Sequence, residues 1–109
     1  GFVYISFKKI GDTEKITSFS VAYNKAKLGG PAKTPEEYQG LMPQDGQEGM
    51  EVREAVSQLG NPDFMHFVIP NPGEVNTIAL VYPTTDSKRV YLFFDESSDQ
   101  YRLKRMMVQ

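Results

Sequence analysis

The amino-acid sequence predicts an α+β domain in which two helices pack on one face of an antiparallel meander sheet of three to four strands. Three observations lead to this class. Apolar residues recur at helical spacing in the first half of the chain, they alternate with a period of two after Pro62, and short turn-forming segments separate the alternating runs. With 109 residues, the chain has room for one domain with one modest core.

We therefore expect a single domain over residues 1–109, in three parts. Residues 1–11 form an N-terminal arm or strand, residues 12–63 form a helical half with a loop over 29–49, and residues 64–109 form the sheet. The chain opens on an apolar run from Phe2 to Phe7 without an initiator Met, which indicates a removed signal peptide or a membrane anchor upstream. An anchor there would bring the domain to a membrane surface.

The first helix is expected from Asp12 to Leu28. Ile16, Phe19 and Tyr23 fall at steps of three and four residues, and the ends of the segment carry capping and stop signals. A strand is the alternative, because Phe19, Val21 and Tyr23 also alternate. The end signals favour the helix.

A shorter helix is expected inside the Gly- and Pro-rich loop. Thr34 has the side chain of an N-cap, and Pro35 suits the first helical position. One or two turns from there would carry Tyr38, Leu41 and Met42. These three residues form a docking patch if they are exposed and plug the edge of the core if they are buried, and the sequence leaves both possibilities open.

The second main helix is the best-defined element, from Glu51 to Leu59. Its apolar residues share one helical face and are Val52, Ala55, Val56 and Leu59. Gly60 is expected to end this helix, and Pro62 prevents its continuation.

Four extended runs follow, each separated from the next by turn formers. They are Phe64–Ile69, Thr77–Tyr82, Arg89–Phe94 and Tyr101–Val108. Runs this close together are joined as hairpins, which makes the sheet an antiparallel meander. In the last run Arg102 and Lys104 alternate with Tyr101 and Leu103, which is typical of a strand with one solvated and one buried face.

Composition argues against catalysis. The chain has no cysteine and one histidine, so it lacks thiolate nucleophiles and cysteine-ligated metals. His66 lies between Met65 and Phe67, where a half-buried strand residue is expected rather than a general base. The sequence also lacks the glycine-rich loops that hold phosphates. We therefore predict no catalytic residue and no enzyme activity.

Cofactor, metal and nucleic-acid sites are not expected either. The acidic run from Asp95 to Asp99 lacks the central glycine and the closing glutamate of a calcium-binding EF-hand loop, and it reads as a hairpin turn. The net charge is −2, and the acidic residues concentrate between Thr34 and Glu74, where they would repel phosphate groups. The predicted partner is therefore a protein and not a nucleic acid.

Three short motifs resemble a known family. Gly49-Met50, Leu59-Gly60 and Pro62-Asp63 are similar to the helix signature of the SmpA/OmlA family of small outer-membrane lipoproteins, which includes the E subunit of the bacterial β-barrel assembly machinery. The later strands, with Tyr82 and the run Val90–Asp95, are similar as well. The chain departs from the family at Glu51, where the family usually has Ser or Thr, and it has neither the central-strand Trp nor a lipidated Cys.

The resemblance implies a fold and a location. The fold is a layer of two helices on an antiparallel sheet, as in β-lactamase-inhibitor proteins, and the location is the periplasm or the outer membrane. It implies that Gly49, Met50, Gly60 and Pro62 are scaffold positions that shape the helix and its exit. The implied partner is another envelope protein.

The sequence thus predicts a non-catalytic protein-binding module of the bacterial cell envelope, with a role in envelope assembly or integrity. The candidate partner contacts are Tyr38, Leu41 and Met42 in the loop and Tyr91 and Phe93 in the sheet. Two alternatives stay open. One is an inhibitor or immunity-type protein that binds an enzyme through the acidic segment, and the other is a small-ligand carrier with a pocket between sheet and helices.

Overall fold

The structure of the protein is a computed structural model that describes residues 2–10, 13–22 and 32–109, with side chains described from residue 32 onward. The two helices are α1 (Pro35–Gln39) and α2 (Val52–Leu59). The strands are β1 (Phe2–Ile10), β2 (Thr13–Ala22), β3 (Phe64–Val68), β4 (Thr77–Pro83), β5 (Arg89–Ser97) and β6 (Gln100–Val108).

All six strands form one sheet in the order β1-β2-β3-β4-β5-β6, and each neighbouring pair is antiparallel. The predicted α+β class and the antiparallel meander are therefore confirmed. The predicted number of three to four strands was too small. The sheet is larger because β1 and β2 form a hairpin that pairs with β3.

The predicted helix from Asp12 to Leu28 was wrong over Thr13–Ala22, which forms β2. A bulge explains the error, because Ile16 pairs with Phe7 while Phe19 pairs with Ile5. Phe7 and Ile5 are two residues apart on β1, so the three-residue step on β2 contains one extra residue and is not a helical turn. Residues 23–28 of the predicted helix lie outside the described residues.

The helix α1 begins as the sequence predicts. The Thr34 hydroxyl accepts a hydrogen bond from the Glu37 amide at 3.1 Å, and the Glu37 carboxylate accepts one from the Thr34 amide at 3.1 Å. This reciprocal pair satisfies two amide groups that the first helical turn would otherwise leave without partners. The hydrogen bond from the Thr34 amide to the Glu37 carboxylate is also the main reason that the pKa of Glu37 is lowered.

The helix α2 ends at Gly60, as predicted. Gly60 has φ of 83°, a left-handed conformation that residues with a Cβ rarely adopt, and its amide donates to the Val56 carbonyl at 2.9 Å. The chain then enters β3 after Pro62, which is fully buried.

The four predicted strands of the second half are present as β3 to β6. The β5–β6 turn consists of Ser98 and Asp99, with φ of 50° and 65°, between the paired residues Ser97 and Gln100. Two consecutive left-handed residues are the conformation of a tight type I′ hairpin turn. The strand β6 also contains a bulge at Lys104, because Leu103 pairs with Phe94 while Arg105 pairs with Phe93.

One buried cluster forms the described core. Tyr38 of α1 and both Ala55 and Leu59 of α2 pack with alternate residues of three strands, which are Ile78, Leu80, Tyr82, Val90, Leu92, Phe94 and Leu103. Two tyrosine hydroxyls in this cluster donate to backbone carbonyls at 2.8 Å, Tyr38 to Pro83 and Tyr82 to Gly60. These bonds satisfy the polar ends of two otherwise buried rings.

The segment before α2 runs along the outer side of β6. The Leu103 amide donates to the Met50 carbonyl at 2.9 Å, and the Arg102 guanidinium donates to the Gly49 carbonyl at 2.9 Å. A Cβ at Gly49 would lie 2.0 Å from the Leu103 carbonyl oxygen, so only glycine allows this approach. The segment thereby covers part of an edge that would otherwise expose unpaired backbone groups.

No helix in the described part of the chain has the length and apolar character that a membrane crossing requires.

Candidate binding face

The face of β3–β5 opposite the core cluster carries a row of aromatic rings. Phe64 lies 6.2 Å from His66, His66 lies 6.2 Å from Tyr91, and Tyr91 lies 6.4 Å from Phe93, measured between ring centroids. Neighbouring rings are nearly parallel, with interplanar angles between 17° and 21°. We call these four residues the aromatic row.

The strand period explains why these rings meet. Phe64 and His66 are two residues apart on β3, and Tyr91 and Phe93 are two residues apart on β5, so all four share one face. The strand between them, β4, contributes only the small side chains of Ala79 and Val81 at the paired positions. The larger rings can therefore contact each other across β4.

The aromatic row is itself half-buried, and it shields the residues beneath it. Ala79 is 2% exposed and Val81 is 0% exposed, although neither belongs to the main core cluster. The row therefore has a structural role as the cover of β4. Its outer surface remains accessible, and a partner could contact it there.

An arginine lies over each end of the aromatic row. The guanidinium carbon of Arg89 is 5.2 Å from the centroid of Phe64, and that of Arg105 is 4.8 Å from the centroid of Phe93. Both distances suit a cation–π interaction. Both arginines are exposed, and we call the aromatic row together with Arg89 and Arg105 the aromatic face.

The bulge in β6 decides where Arg105 lies. Without the extra residue at Lys104, strand alternation would place Arg105 on the same face as Leu103, which is fully buried in the core. With it, Arg105 pairs with Phe93 and reaches the aromatic face. Bulges often re-aim side chains in this way near functional surfaces.

Burial within the row lowers the pKa of His66 below its usual value of 6.5, because the protonated ring loses solvation there. The imidazole is therefore neutral at pH 7. This fits the expectation of a half-buried strand residue, and it means that the ring between Phe64 and Tyr91 carries no charge.

The loop candidates Tyr38, Leu41 and Met42 do not share one surface. Tyr38 is 1% exposed and belongs to the core, so the docking role predicted for it is corrected: its ring has no surface for a partner to contact. Leu41 and Met42 are partly buried against the core and line an open cleft of about 400 Å³. Contact of a partner with these two residues stays a prediction.

Arg102 organises the polar side of that cleft. Its guanidinium donates to the Gln100 side chain at 2.6 Å and lies 3.5 Å from the Glu48 carboxylate and 4.0 Å from that of Glu51. Together with the bond to the Gly49 carbonyl, these contacts fix the segment before α2 against β6. These contacts therefore explain how the loop is held in place, and they occupy the hydrogen-bond donors of the Arg102 guanidinium.

The alternative of a small-ligand carrier would be favoured by a cavity lined by Tyr82, His66 and an acidic residue. The two residues lie on opposite faces of the sheet, because Tyr82 is in the core cluster and His66 is in the aromatic row. Their positions follow from the register, in which His66 pairs with Ala79, three residues before Tyr82. They do not form a common pocket.

The sequence predicts two of the four rings of the aromatic row and neither arginine of the aromatic face. Tyr91 and Phe93 were candidates, and the structure brings them together with Phe64 and His66. The alternation of residues in β3 and β5 was a signal that could have predicted the whole row, because the strands of a meander align their alternating residues. Arg105 had no such signal, since its position depends on a bulge.

Within residues 32–109, no group of three or more potential ligands is arranged to hold a metal ion. The aromatic face offers apolar ring surface and two guanidinium groups, which suit contact with another molecule. No family model matches the chain, and comparison with curated proteins and with solved structures found no match.

Proposed function

We propose that this chain is a non-catalytic protein-binding module and that it binds its partner through the aromatic face. One observation carries the proposal: four half-buried rings form a contiguous patch over β3–β5, with one exposed guanidinium group over Phe64 and another over Phe93. Half-buried rings keep apolar area available to a partner and are already held in place by their neighbours. Binding to them costs little side-chain entropy.

The residue types support a protein partner. Tyrosine and arginine are enriched among the residues that dominate binding energy at protein interfaces, where they act as central anchors. Tyr91 lies inside the row between His66 and Phe93, and Met107 pairs with it on β6 with 39% of its surface exposed. The aromatic face therefore combines rigid anchors with an adaptable apolar neighbour.

The location we propose is the bacterial cell envelope, in the periplasm or at the outer membrane, with another envelope protein as partner. The support is the resemblance of Gly49-Met50, Leu59-Gly60 and Pro62-Asp63 to the SmpA/OmlA signature. The geometry of these positions suits the scaffold role that the resemblance implies, since Gly49 permits a close backbone approach and Gly60 ends α2.

The proposal includes the arrangement of the helices. We propose that α1 and α2 both cover the face of the sheet that bears the core cluster, which leaves the aromatic face to the partner. Tyr38, Ala55 and Leu59 support this arrangement, because these helix residues belong to one cluster with alternate residues of β4, β5 and β6.

Photo-crosslinking tests the proposed function. A benzophenone amino acid is placed at Met107, beside Tyr91, and in a control variant at Gln58, an exposed position on α2. After irradiation with envelope extract, we expect an adduct of discrete mass from position 107 and none from position 58. Phe93→Ala should abolish the adduct without a change in the far-ultraviolet circular dichroism spectrum.

Equal adducts from both positions would overturn the proposal, because the aromatic face would then have no preference for a partner. An adduct from position 107 that survives both Phe93→Ala and Tyr91→Ala would also overturn it. In that case the crosslinker lies near the partner, but the rings of Tyr91 and Phe93 do not bind it.

A further inference from the structure

We propose that the hairpin tip between β3 and β4 of one copy of this chain docks on the aromatic face of a second copy, with Glu74 of the first copy beside Arg89 of the second. The hairpin tip consists of residues 68–76, which are the end of β3 and its connection to β4. The inference goes beyond the proposed function and does not depend on it.

Exposed apolar side chains occur at two places on the molecule. Among the residues whose side chains the structure describes, four large hydrophobic residues are exposed. Val68, Ile69 and Val75 lie in the hairpin tip, with exposed fractions of 41%, 44% and 53%. The fourth is Met107, which pairs with Tyr91 on the aromatic face. Contact between the tip and the face would remove apolar area from water on both surfaces.

The hairpin tip is held in one conformation by a tight turn. The Glu74 amide donates a hydrogen bond to the Asn71 carbonyl at 3.0 Å, and the Asn71 side-chain amide donates to the Glu74 carboxylate at 3.3 Å. The central residues are Pro72 and Gly73, and Gly73 has φ of 89°. These are the residues that a type II turn prefers at its two central positions. A tip that is already ordered loses little conformational freedom when it docks.

The charge around the hairpin tip favours a cationic acceptor. In an antiparallel meander, the β3–β4 and β5–β6 connections lie at the same end of the sheet. Residues 69–76 and 95–99 contain four acidic residues and no lysine or arginine; the acidic residues are Glu74, Asp95, Glu96 and Asp99. An anionic lipid surface would repel this end of the molecule. A cation beside apolar surface would attract it.

Arg89 supplies such a cation at the aromatic face. It is exposed, and among the described side chains no carboxylate lies within ion-pair distance of it. The remaining acidic residues, Asp12 and Glu14, lie at the start of β2, while Ala22 at its other end pairs with Phe64. The guanidinium of Arg89 is held over the Phe64 ring. It is therefore in position to pair with a carboxylate from a second copy.

The aromatic row has the shape of a compact patch, which suits a hairpin tip. Phe64 and Tyr91 both pair with Val81, and the other two rings both pair with Ala79, so the four rings form a two-by-two arrangement. The two ring-bearing strands are about 10 Å apart, because one strand lies between them. A hairpin tip has two chain segments about 5 Å apart, with side chains on each, and can cover such a patch end-on.

The proposed contact joins two different surfaces, so each added copy keeps one free tip or one free face. Association of this head-to-tail kind continues beyond a dimer unless the copies close into a ring. Docking also covers Tyr91 and Met107 of the second copy, so it would compete with a partner that binds the aromatic face. A second copy would thus occupy the face when no other partner is present.

Sedimentation velocity of the purified chain tests the inference. We expect the weight-average sedimentation coefficient to rise with protein concentration. Glu74→Arg and Arg89→Glu should each weaken association roughly tenfold, because each places like charges together. The double variant with both substitutions should associate again, and so should an equimolar mixture of the two single variants, because opposite charges then meet in each case.

Matched variants separate this contact from general effects of charge. Arg53→Glu and Glu54→Arg reverse exposed charges on α2 and should change association by less than about twofold. Val75→Ser keeps the charge of the tip and removes an exposed apolar side chain, so it should weaken association several-fold. Circular dichroism of each variant checks that the fold is retained.

A chain that stays monomeric at all concentrations would overturn the inference. Association that Glu74→Arg leaves unchanged, or that the double variant fails to restore, would also overturn it. Sedimentation of a monomeric chain with phosphatidylcholine vesicles, lost in Val75→Ser, would overturn it in favour of a lipid surface.

Crosslinking from position 107 distinguishes this inference from the proposed function. With the purified chain alone, docking of a second copy should give an adduct of twice the mass of the chain, and absence of that adduct would count against docking. The partner of the proposed function gives an adduct of another mass, and only when envelope extract is present. Either proposal can therefore fail while the other stands.

Discussion

At the scale of single residues, one extra residue in a strand decides the chemistry of a surface. The bulge at Lys104 turns Arg105 away from the side occupied by Leu103 and places its guanidinium 4.8 Å from the Phe93 ring. Arg89 reaches Phe64 by ordinary strand alternation and needs no bulge. The two cationic ends of the aromatic face therefore have different structural origins.

His66 should make stability depend on pH. Its pKa is lowered in the folded state by burial, so the unfolded chain binds a proton more readily. The contribution of the neutral His66 ring to stability is therefore complete above the pKa of histidine in the unfolded chain, about 6.5. It decreases as the pH falls below that value. We expect the melting temperature of the protein to fall, relative to that of His66→Phe, between about pH 7.5 and pH 5.

The variant His66→Phe keeps a ring in the row and removes the titratable imidazole. The difference in melting temperature between the two proteins therefore reports the effect of His66 and not that of the carboxylates. Thermal melts followed by circular dichroism over this range provide the measurement. A melting temperature that rises toward acid pH, relative to the variant, would contradict the prediction, since the imidazolium would then be favoured by folding.

At the scale of elements, glycines and short hydrogen-bonded segments determine how helices meet the sheet. Gly49 allows the chain to run against Leu103 of β6 before α2 begins, and Gly60 ends α2 in a left-handed conformation. Between them, α2 contributes Ala55 and Leu59 to the core. The position of α2 thus depends on both of its ends.

Gly49→Ala should destabilise the fold. The added methyl would lie 2.0 Å from the Leu103 carbonyl oxygen, so the segment must move away from β6 and lose the bond from the Leu103 amide to Met50. Overpacking with loss of such a contact costs about 1–3 kcal/mol. Urea unfolding followed by circular dichroism measures this loss.

Gly40→Ala is the matched control. Its added methyl would meet the Glu37 carbonyl oxygen at 3.4 Å, an ordinary contact, and Gly40 has φ of −63°. Alanine there should change the free energy of unfolding by less than about 1 kcal/mol. Equal losses for the two variants would show that the approach of Gly49 to β6 does not stabilise the fold.

At the scale of the whole molecule, the sheet is a meander in which every strand pairs with its neighbours in sequence. Its two edges differ. The outer side of β6 is partly covered by the segment before α2, while β1 is the opposite edge of the sheet. Among the strands whose side chains the structure describes, β4 and β5 are the most enclosed, and their residues Leu80 and Leu92 are fully buried.

Amide hydrogen exchange should follow this arrangement. We expect the slowest exchange at amides of β4 and β5, with protection close to the free energy of global unfolding, because both strands have partners on each side and border the core cluster. Amides of β1 should exchange faster. Exchange monitored by nuclear magnetic resonance tests the order, and protection of β1 equal to that of β4 would contradict it.

The sequence by itself determined the elements whose signals are local. The N-cap residue Thr34 and Pro35 at the first helical position predict α1, and the apolar face followed by Gly60 predicts α2. Alternating residues separated by turn formers predict β3 to β6. Backbone preferences and a side-chain period of two or of 3.6 residues are enough to predict these elements. Both signals are present in residues that are close together in the sequence.

Only the tertiary structure decided the rest. Ile16 and Phe19 belong to a strand because β1 and β3 supply partners for β2, and their three-residue step is a bulge. Tyr38 is core because its hydroxyl reaches the Pro83 carbonyl, 45 residues away in sequence. Arg105 joins the aromatic face through another bulge. In each case the deciding contact is made with a residue of another strand, and the local sequence pattern does not contain that contact.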